Sequence, residues 1–193
     1  VVKVSSLGCG GIVTGSGIPL GSGYVATNAH VVSGTASHAI QKPDGTVLRA
    51  DVVYFDPEKD VAVLYAPGFN AAALTFGQAD RGTQGAVIGY PGGQGEKIVA
   101  AVVDGQVTAE GRDIYSQNVV TRQIYVLQAE VRPGNSGGPL LDLQGRVLGM
   151  VFATSASDSN QAYALTDDEI MPDLHAAESN PSPKDTSRYE CAT

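Results

Sequence analysis

Short runs of alternating apolar and polar residues recur along the chain, and glycine, proline or aspartate separates them. Runs of this length, bounded by turn residues, are typical of β-strands, and their close spacing indicates a sandwich or a barrel. The clearest runs lie at 12–14, 24–27, 47–53, 61–65, 86–90, 98–103, 124–127, 147–152 and 163–165. Turn sequences at 43–45 (PDG) and 143–145 (LQG) each separate two such runs and predict hairpins. We therefore expect an all-β fold.

One segment near the C-terminus has a helical pattern instead. Thr166 to Glu169 (TDDE) form a capping box, and Ile170 and Leu174 then fall on one helical face. Pro172 is unfavourable that far inside a helix, so we expect the helix to begin a few residues after the box.

Two further segments organise the chain. The stretch from Pro67 to Gly85 is rich in alanine and glycine and shows no clear alternation, so we interpret it as the connection between two β units of similar size. Residues 178–193 contain Pro181, Pro183 and several serines and threonines, which predicts a polar tail.

Composition and charge narrow the class of protein. Glycine accounts for 24 of 193 residues, about 12% against a usual value of about 7%. Charged residues make up 17%, against about 25% in a typical domain. This balance favours turns and short strands over long helices. The net charge is −8 and the chain shows no cluster of lysine and arginine, which excludes a nucleic-acid groove or a patch for anionic membranes.

The two cysteines, Cys9 and Cys191, lie near opposite ends of the chain. A bridge between them would close almost the whole chain, which the chain-entropy account values at about 5 kcal/mol. We expect a disulfide formed in an oxidising compartment, with two reduced buried thiols as the alternative. The chain begins at Val1 and contains no stretch of the roughly 18 apolar residues that cross a bilayer, so we expect a processed fragment of a longer protein.

The strongest sign of chemistry is the segment 133–140, PGNSGGPL. Three glycines around Ser136 permit backbone angles that other residues avoid. Such a loop can direct two backbone N–H groups to one point beside the serine hydroxyl, which is what an oxyanion requires. Ser136 is therefore a candidate nucleophile, and a plain glycine-rich turn is the alternative.

A serine hydroxyl is a weak nucleophile unless a base accepts its proton. The candidate bases are His30, His38 and His175. His30 lies at the end of a predicted strand among small residues, which leave room for an imidazole to face a cleft. We interpret His38 as a loop residue and place His175 on the helix, so His30 is the preferred base.

The base in turn needs a carboxylate that fixes its tautomer and offsets the imidazolium charge. Asp60 directly precedes the apolar run 61–64 and would stand at the mouth of a buried strand. Asp56 lies four residues earlier, in an apparent turn before Pro57, and competes with it. Spacing alone does not decide between the two.

Three segments together resemble the catalytic motifs of the trypsin-like serine proteases, in order and in spacing. They are TNAHVV at 27–32, DVAVL at 60–64 and GNSGGP at 134–139. The resemblance covers about residues 1–177 and is nearer to the HtrA/DegP-type branch. Less specific features of the chain are similar to those of the periplasmic acid-resistance proteases of mycobacteria. They are GYPGG at 89–93, DIY at 113–115, TR at 121–122 and a cysteine near each end.

The resemblance implies two antiparallel six-stranded Greek-key barrels of the chymotrypsin type, with a short C-terminal helix. Residues 1–79 would form the first barrel and carry His30 and Asp60. Residues 80–177 would form the second barrel with Ser136 and the helix, and residues 178–193 a tail.

The resemblance also implies a role for each site residue. Ser136 would be the nucleophile, His30 the general base and then acid, and Asp60 its orienting carboxylate. The backbone N–H groups of Gly134 and Ser136 would form the oxyanion hole, and no metal or cofactor is expected. Asn135 stands where many trypsins carry an aspartate, so activation by a freed N-terminus is not expected. The resemblance does not extend to a PDZ domain, so peptide sensing and trimer assembly of the HtrA type are not inferred.

A second enzyme class competes with this one. The segment GNSGG at 134–138 also satisfies the G-x-S-x-G pattern of the α/β-hydrolase elbow, with Asp142 or Asp158 and His175 as possible partners. That elbow requires a helix directly after the serine. Pro139 and a hairpin-like stretch at 140–152 follow instead, so this class is rejected.

The residues that would select the substrate follow from the same fold. Its S1 pocket is lined by the segment before the serine, here Glu130 to Pro133, and by the following strand and its neighbour, here Phe152, Ala153, Thr154 and the region near Tyr163. Glu130 takes the place that reads the P1 charge in trypsins, which predicts a preference for Arg or Lys. Alternatively, Arg132 or solvent satisfies Glu130, and the pocket takes small aliphatic residues.

The expected partners are protein or peptide substrates, and not nucleic acid. The resemblance implies an extracytoplasmic bacterial location, a membrane anchor upstream of Val1, and a role in acid or envelope stress; self-cleavage and the oligomeric state are left open.

A protease fold retained for binding without catalysis is the competing class of function. An oxidised Cys9–Cys191 pair would hold the two halves together, so reduction is expected to lower stability.

Overall fold

The computed structural model describes residues 1–192 and consists mainly of antiparallel strands. Six strands form a first barrel in the order β1-β2-β3-β6-β5-β4, closed by the pairing of β1 with β4. A four-residue helix, α1 (Ala29–Val32), connects β3 to β4. The strands are β1 (Val2–Gly8), β2 (Gly11–Gly21), β3 (Tyr24–Thr27), β4 (Thr35–Gln41), β5 (Val47–Asp56) and β6 (Val61–Tyr65).

A second barrel of six strands follows, in the order β10-β11-β12-β9-β8-β7, closed by the pairing of β10 with β7. Helix α2 (Asp167–Ser179) comes directly after its last strand. The strands are β7 (Gln84–Gly89), β8 (Lys97–Arg112), β9 (Val119–Gln128), β10 (Pro139–Asp142), β11 (Val147–Thr154) and β12 (Gln161–Thr166). The predicted class, two antiparallel six-stranded barrels with one short C-terminal helix, is confirmed.

The apolar positions of the alternating runs fill three clusters. One lies inside each barrel. The third lies between the barrels and includes Val61 and Val63 of β6, Met150 of β11, and Ile170 and Leu174 of α2. Each fully buried side chain of this kind contributes about 1.5–3 kcal/mol relative to exposure. The helix therefore packs the two barrels against each other, which places their facing loops side by side.

The hairpin and connection predictions agree with the strand bounds. The turns at 43–45 and 143–145 separate β4 from β5 and β10 from β11. Within the described residues, the segment between β6 and β7 forms no strand of its own, and Phe76 makes an isolated β-bridge with Val147 of β11. The barrel boundaries at residues 79 and 177 stay predictions.

Two local predictions were wrong. Helix α2 begins at Asp167, the second residue of the box, because the Thr166 side chain accepts a hydrogen bond from the Glu169 N–H and three acidic residues occupy the first turn. These contacts offset the one backbone hydrogen bond that Pro172 cannot donate. His38 lies in β4 and is buried, not in a loop, because Ser6 and Thr186 bind its two ring nitrogens.

The tail after α2 is tied to the first barrel. Cys191 forms a disulfide with Cys9, and the two Cα atoms lie 5.8 Å apart. The Thr186 hydroxyl donates to the Thr35 carbonyl at 3.0 Å, and the Lys184 N–H to the Val52 carbonyl at 2.7 Å. No helix within residues 1–192 is long and apolar enough to span a bilayer.

Candidate active site

His30 and Asp60 meet at one edge of the first barrel. His30 is the second residue of α1, and Asp60 directly precedes β6. The Nδ1 atom of His30 lies 2.8 Å from Asp60 Oδ2, and the His30 N–H donates to Asp60 Oδ1 at 2.9 Å. The carboxylate is therefore held by both the ring and the backbone of the same histidine. Its side chain is 5% exposed, against 27% for the imidazole.

The turn that presents Asp60 is held by side chains from several directions. Asp60 has a φ of 65°, a left-handed conformation that costs a non-glycine residue free energy. The Asn28 amide donates to the Asp60 carbonyl at 2.9 Å. The Lys59 ammonium binds Asp173 of α2 at 3.2 Å, and the Arg122 guanidinium Nε donates to the Glu58 carbonyl at 2.9 Å. Sequence analysis did not assign these roles, although Asn28 lies in the TNAHVV segment and Arg122 in the TR pair, because the three contacts join residues far apart in the chain.

Asp56, the competing carboxylate, has a different position. Its Oδ1 accepts the backbone N–H groups of Glu58 and Lys59 at 2.9 and 3.0 Å. It thus caps the turn that carries Asp60, and Asp60 is the carboxylate in contact with His30.

Opposing effects act on the pKa of His30. Burial disfavours the imidazolium and lowers the pKa, whereas the charge and the hydrogen bond of Asp60 raise it; Arg122 lowers it by repulsion. The effect of Asp60 prevails, so the pKa of His30 lies above its ordinary value of 6.5. A histidine in this state is a stronger base than a free imidazole and is held in one orientation.

The loop around Ser136 follows a backbone path that only glycine permits. Gly134 and Gly137 have φ angles of 102° and 83°. A Cβ atom on Gly134 would overlap the Tyr90 carbonyl oxygen, and one on Gly137 would overlap the Ser16 carbonyl oxygen and the Thr27 hydroxyl. The predicted need for these glycines therefore has a steric cause.

Two N–H groups of this loop make no hydrogen bond within the described chain. The N–H groups of Asn135, Gly137 and Gly138 donate to carbonyls at 2.8–3.0 Å. Those of Gly134 and Ser136 donate to no acceptor in residues 1–192. The two candidate oxyanion donors are thus the ones the fold leaves free, which is notable because buried backbone N–H groups are almost always paired.

Ser16 of β2 anchors the Ser136 loop to the first barrel. Its N–H donates to the Ser136 carbonyl at 2.7 Å, and its hydroxyl donates to the Gly134 carbonyl at 2.7 Å while accepting from the Tyr90 N–H at 2.9 Å. Ser16 is fully buried. Nothing in the sequence around it, a run of glycine and serine in a strand, distinguished this residue.

The same strand brings the Ser136 loop next to α1. A Cβ atom built on Gly15 would lie 2.7 Å from the Val31 side chain and 3.0 Å from the Ser136 carbonyl oxygen. The Ser136 carbonyl and the side chain of Val31, the residue after His30, therefore lie close together on the same side of Gly15. This contact brings the backbone around Ser136 near the short helix that carries His30.

The residues of the rejected hydrolase alternative lie elsewhere. Asp142 pairs with Arg146 at 2.7 Å. His175 is exposed on α2 beside Leu20 and Leu174. Strand β10 begins at Pro139, so no helix follows the serine.

The candidate specificity residues divide into two groups. Glu130 forms an ion pair with Arg132, and its side chain is 57% exposed. Phe152 instead lines a cavity together with His30 and Asp60. Ala153 and Thr154 continue β11 beyond it and pair with Tyr163 and Ala162 of β12. The structure thus brings Phe152 to the histidine and leaves Glu130 with the partner that the alternative prediction named.

Comparison with known proteins agrees with this arrangement. Residues 11–150 match the model of the trypsin-like peptidase domain. The chain is 37% identical over 179 residues to the serine protease Rv3671c (MarP) of Mycobacterium tuberculosis, covering 90% of this chain and 45% of that protein. It is 33% identical to a probable periplasmic DegP-like serine endoprotease of Halomonas elongata, over 86% of this chain and 34% of that one.

Solved structures give the same result. The active form of the M. tuberculosis Rv3671c protease superimposes with a TM-score of 0.94 at 36% identity, over 100% of this chain and 85% of that one. The HtrA-type protease AlgW with a tripeptide gives 0.79 at 26% identity, over 93% and 60%.

The chain belongs to the trypsin-like serine peptidases and is a serine protease domain of the HtrA and Rv3671c type. It spans 45% of the length of Rv3671c and 34% of the length of the H. elongata relative.

Proposed function

We propose that this chain is the protease domain of an extracytoplasmic endopeptidase in which Ser136, His30 and Asp60 form the catalytic triad. The observation that carries the proposal is the pairing of His30 with Asp60 at 2.8 Å, next to a glycine-rich loop whose Gly134 and Ser136 N–H groups are unpaired within residues 1–192. A base that is oriented and a pair of free donors are the two elements that acyl transfer needs.

In the first half of the reaction, the Ser136 hydroxyl adds to the carbonyl carbon of the scissile peptide bond while His30 accepts its proton. Asp60 stabilises the imidazolium and holds the ring. The N–H groups of Gly134 and Ser136 donate to the oxyanion of the tetrahedral intermediate. His30 then returns the proton to the leaving amine, the C–N bond breaks, and an acyl-enzyme ester remains on Ser136.

In the second half, a water molecule takes the place of the leaving amine. His30 accepts one of its protons as its oxygen adds to the ester carbonyl. The tetrahedral intermediate collapses, the ester bond breaks, and the proton goes from His30 to the Ser136 oxygen. The free carboxyl product leaves and the enzyme is restored.

Labelling with a fluorophosphonate tests the proposal. We expect the wild-type protein to be labelled and Ser136→Ala to lose both labelling and peptidase activity, with kcat lower by about a million-fold. Ser182→Ala, at an exposed serine in the tail, is the matched control and should be labelled normally. Labelling of Ser136→Ala, or a change of only a few-fold in kcat, would mean that the fold is retained for binding and not for catalysis.

For P1 preference, the Glu130–Arg132 pair supports the small aliphatic alternative, because the charge of Glu130 already has a partner. Matched peptides with Arg or Val at P1 distinguish the two alternatives: higher kcat/KM for Val supports this one, and higher kcat/KM for Arg supports recognition by Glu130.

Location and biological role are proposed from the relatives. The H. elongata relative is named a probable periplasmic serine endoprotease, and the Cys9–Cys191 disulfide suits an oxidising compartment. We propose a role in acid or envelope stress and a membrane anchor outside this chain. Fractionation of cells that express the full-length protein, with and without an acid challenge, tests both points.

A further inference from the structure

A cavity of about 450 Å³ opens beside His30 and Asp60, on the side of β11. Its polar lining includes the side chains of Arg112 and Arg122, and Phe152 forms part of its apolar wall. The triad mechanism uses His30 and Asp60 but neither arginine. The cavity is therefore a part of the site whose chemistry the proposed reaction does not explain.

Arg122 is a buried cation without a carboxylate partner in the described chain. The residue is 8% exposed. Its guanidinium donates only to backbone carbonyls, those of Glu58 and Arg112, and lies 5.8 Å from the centre of the Phe152 ring. Burying a charge is costly unless an opposite charge compensates it. A guanidinium at the wall of a cavity, bound to carbonyls but to no carboxylate, is therefore a candidate site for an anion.

Arg122 also has hydrogen-bonding capacity left. A guanidinium carries five N–H donors, and the bonds of Arg122 to Glu58 and Arg112 use three of them. The two that remain belong to the terminal nitrogens, which are the ones that bind a carboxylate in the bidentate manner.

The other charges around the cavity add to this preference. The Asp60 carboxylate is taken up by His30. Arg112 is exposed at the cavity and forms no ion pair within residues 1–192. Glu110 is exposed at the neighbouring groove and makes no bond to Arg122. In a chain of net charge −8, the cavity beside the site is lined by two arginines without carboxylate partners.

We propose that this cavity is a substrate subsite that selects a carboxylate side chain, glutamate or aspartate, on the acyl side of the cleaved bond. The proposal rests on the proposed function, because it assumes that a peptide lies across His30. A side chain within a few residues of the scissile bond reaches Arg122 past Phe152 and binds the free donors of the guanidinium. Arg112 contributes a second positive charge at the entrance.

Peptides that differ only by Glu or Gln at one position, scanned from P4 to P2′, test the subsite. We expect Glu to raise kcat/KM by about ten-fold over Gln at one acyl-side position, as charged hydrogen bonds do. Arg122→Gln should reduce the Glu-to-Gln ratio to about one, and Arg112→Gln should lower it in part. Arg81→Gln, which removes an exposed arginine far from the cavity in the chain, is the matched control and should keep the wild-type ratio.

The ratio is the readout because Arg122 also supports the Asp60 turn, so its substitution lowers the overall rate whatever it does to selectivity. Binding of the same peptide pairs to Ser136→Ala, measured as a Kd ratio, gives a second readout that does not depend on catalysis. A wild-type ratio near one at every position, or a ratio unchanged in both Arg122→Gln and Arg112→Gln, would overturn the subsite. Absent fluorophosphonate labelling with a preserved Kd ratio would overturn the catalytic proposal alone.

Discussion

The two halves of the site are held in place by different means. The His30–Asp60 half depends on side chains: Asp56 caps the turn, and Asn28, Arg122 and Asp173 hold it from other elements, Asp173 through Lys59 of the turn. The Ser136 half depends on backbone: two glycines at positive φ and carbonyl and N–H groups in close contact with β2.

This difference determines how each half responds to substitution. A side-chain hydrogen bond contributes on the order of 1 kcal/mol, so the first half loses its geometry in steps as supports are removed. A backbone loop in close contact has no room for an added methyl group, so the second half fails in one step. We expect graded effects around Asp60 and abrupt ones around Ser136.

The largest effect is expected for Gly137→Ala. The new methyl group would overlap the Ser16 carbonyl oxygen and the Thr27 hydroxyl, in a conformation with φ of 83°. We expect activity to fall nearly as far as in Ser136→Ala, with a loss of unfolding free energy of about 3 kcal/mol or more. Peptidase assays and urea denaturation measure the two effects.

Gly95→Ala is the control for this comparison. Gly95 has open space around its Cα and no positive φ, so near-wild-type activity and stability are expected. If Gly137→Ala behaved like Gly95→Ala, the Ser136 loop would be adaptable and the contrast between the two halves would be lost.

Next in size is Asp60→Asn. Removing the carboxylate should lower kcat by about ten-thousand-fold, because the imidazole loses its fixed tautomer and its counter-charge. The pKa of His30 should also fall, since burial and Arg122, which lower it, are then no longer outweighed. An NMR titration of His30 measures the shift.

The pH dependence of activity and stability provides a second test of the raised His30 pKa. Because the raised pKa belongs to the base, wild-type kcat/KM should rise with pH through a value above 6.5. A folded-state pKa above the unfolded one also stabilises the protein below about pH 6.5, and this contribution disappears as the pH rises through the folded pKa.

Asp56→Asn is the control for Asp60→Asn. It makes the same charge change but keeps the oxygen that caps the turn, so it should retain most of the activity and the high His30 pKa.

The two halves of the site also differ in how far the sequence could predict them. The Ser136 half was predictable because its cause is local: glycines and one serine within a single segment. The pairing of His30 with Asp60 was predictable only with the family resemblance, since Asp56 was an equal candidate by spacing. The contacts of Ser16 and Arg122 could not be predicted, because they span more than sixty positions of chain and only the closed barrels bring these residues to the site.

The fold was predictable to a similar degree. The alternating runs lie in nine of the twelve strands; the hairpin turns implied β4 and β10, and β1 was not identified. Strands β1 and β4 bury polar side chains, those of Ser6 and His38, which bind each other. The hydrogen bonds to both ring nitrogens of His38 offset the cost of burying its imidazole. An apolar–polar alternation cannot reveal a buried polar residue of this kind.

The disulfide tests how far the His30–Asp60 half of the site depends on the C-terminal tail. Reduction, or Cys9→Ser with Cys191→Ser, frees a loop of 182 positions, for which chain entropy predicts a loss of about 5 kcal/mol as an upper value. We expect a lower melting temperature and reduced activity, because the tail also holds Ser33, directly after α1, through the Glu190 carbonyl at 2.8 Å. Equal melting temperatures and activity with and without reductant would contradict the prediction.

The smallest effect separates His38 from His30, the two histidines of the first barrel. Burial lowers the pKa of His38, and Asp51 offsets this only in part, whereas the pKa of His30 is raised. Because the unfolded chain then binds a proton that folded His38 does not, the contribution of His38 to stability is full above pH 6.5 and is lost as the pH falls through its folded pKa. The slope is at most about 1.4 kcal/mol per pH unit. In urea unfolding between pH 5 and 8, His38→Gln should therefore lose less stability on acidification than the wild type. A steeper loss in the variant would mean that Ser6 and Thr186 accept the charged ring, and that this cluster tolerates acid as well as the His30–Asp60 pair does.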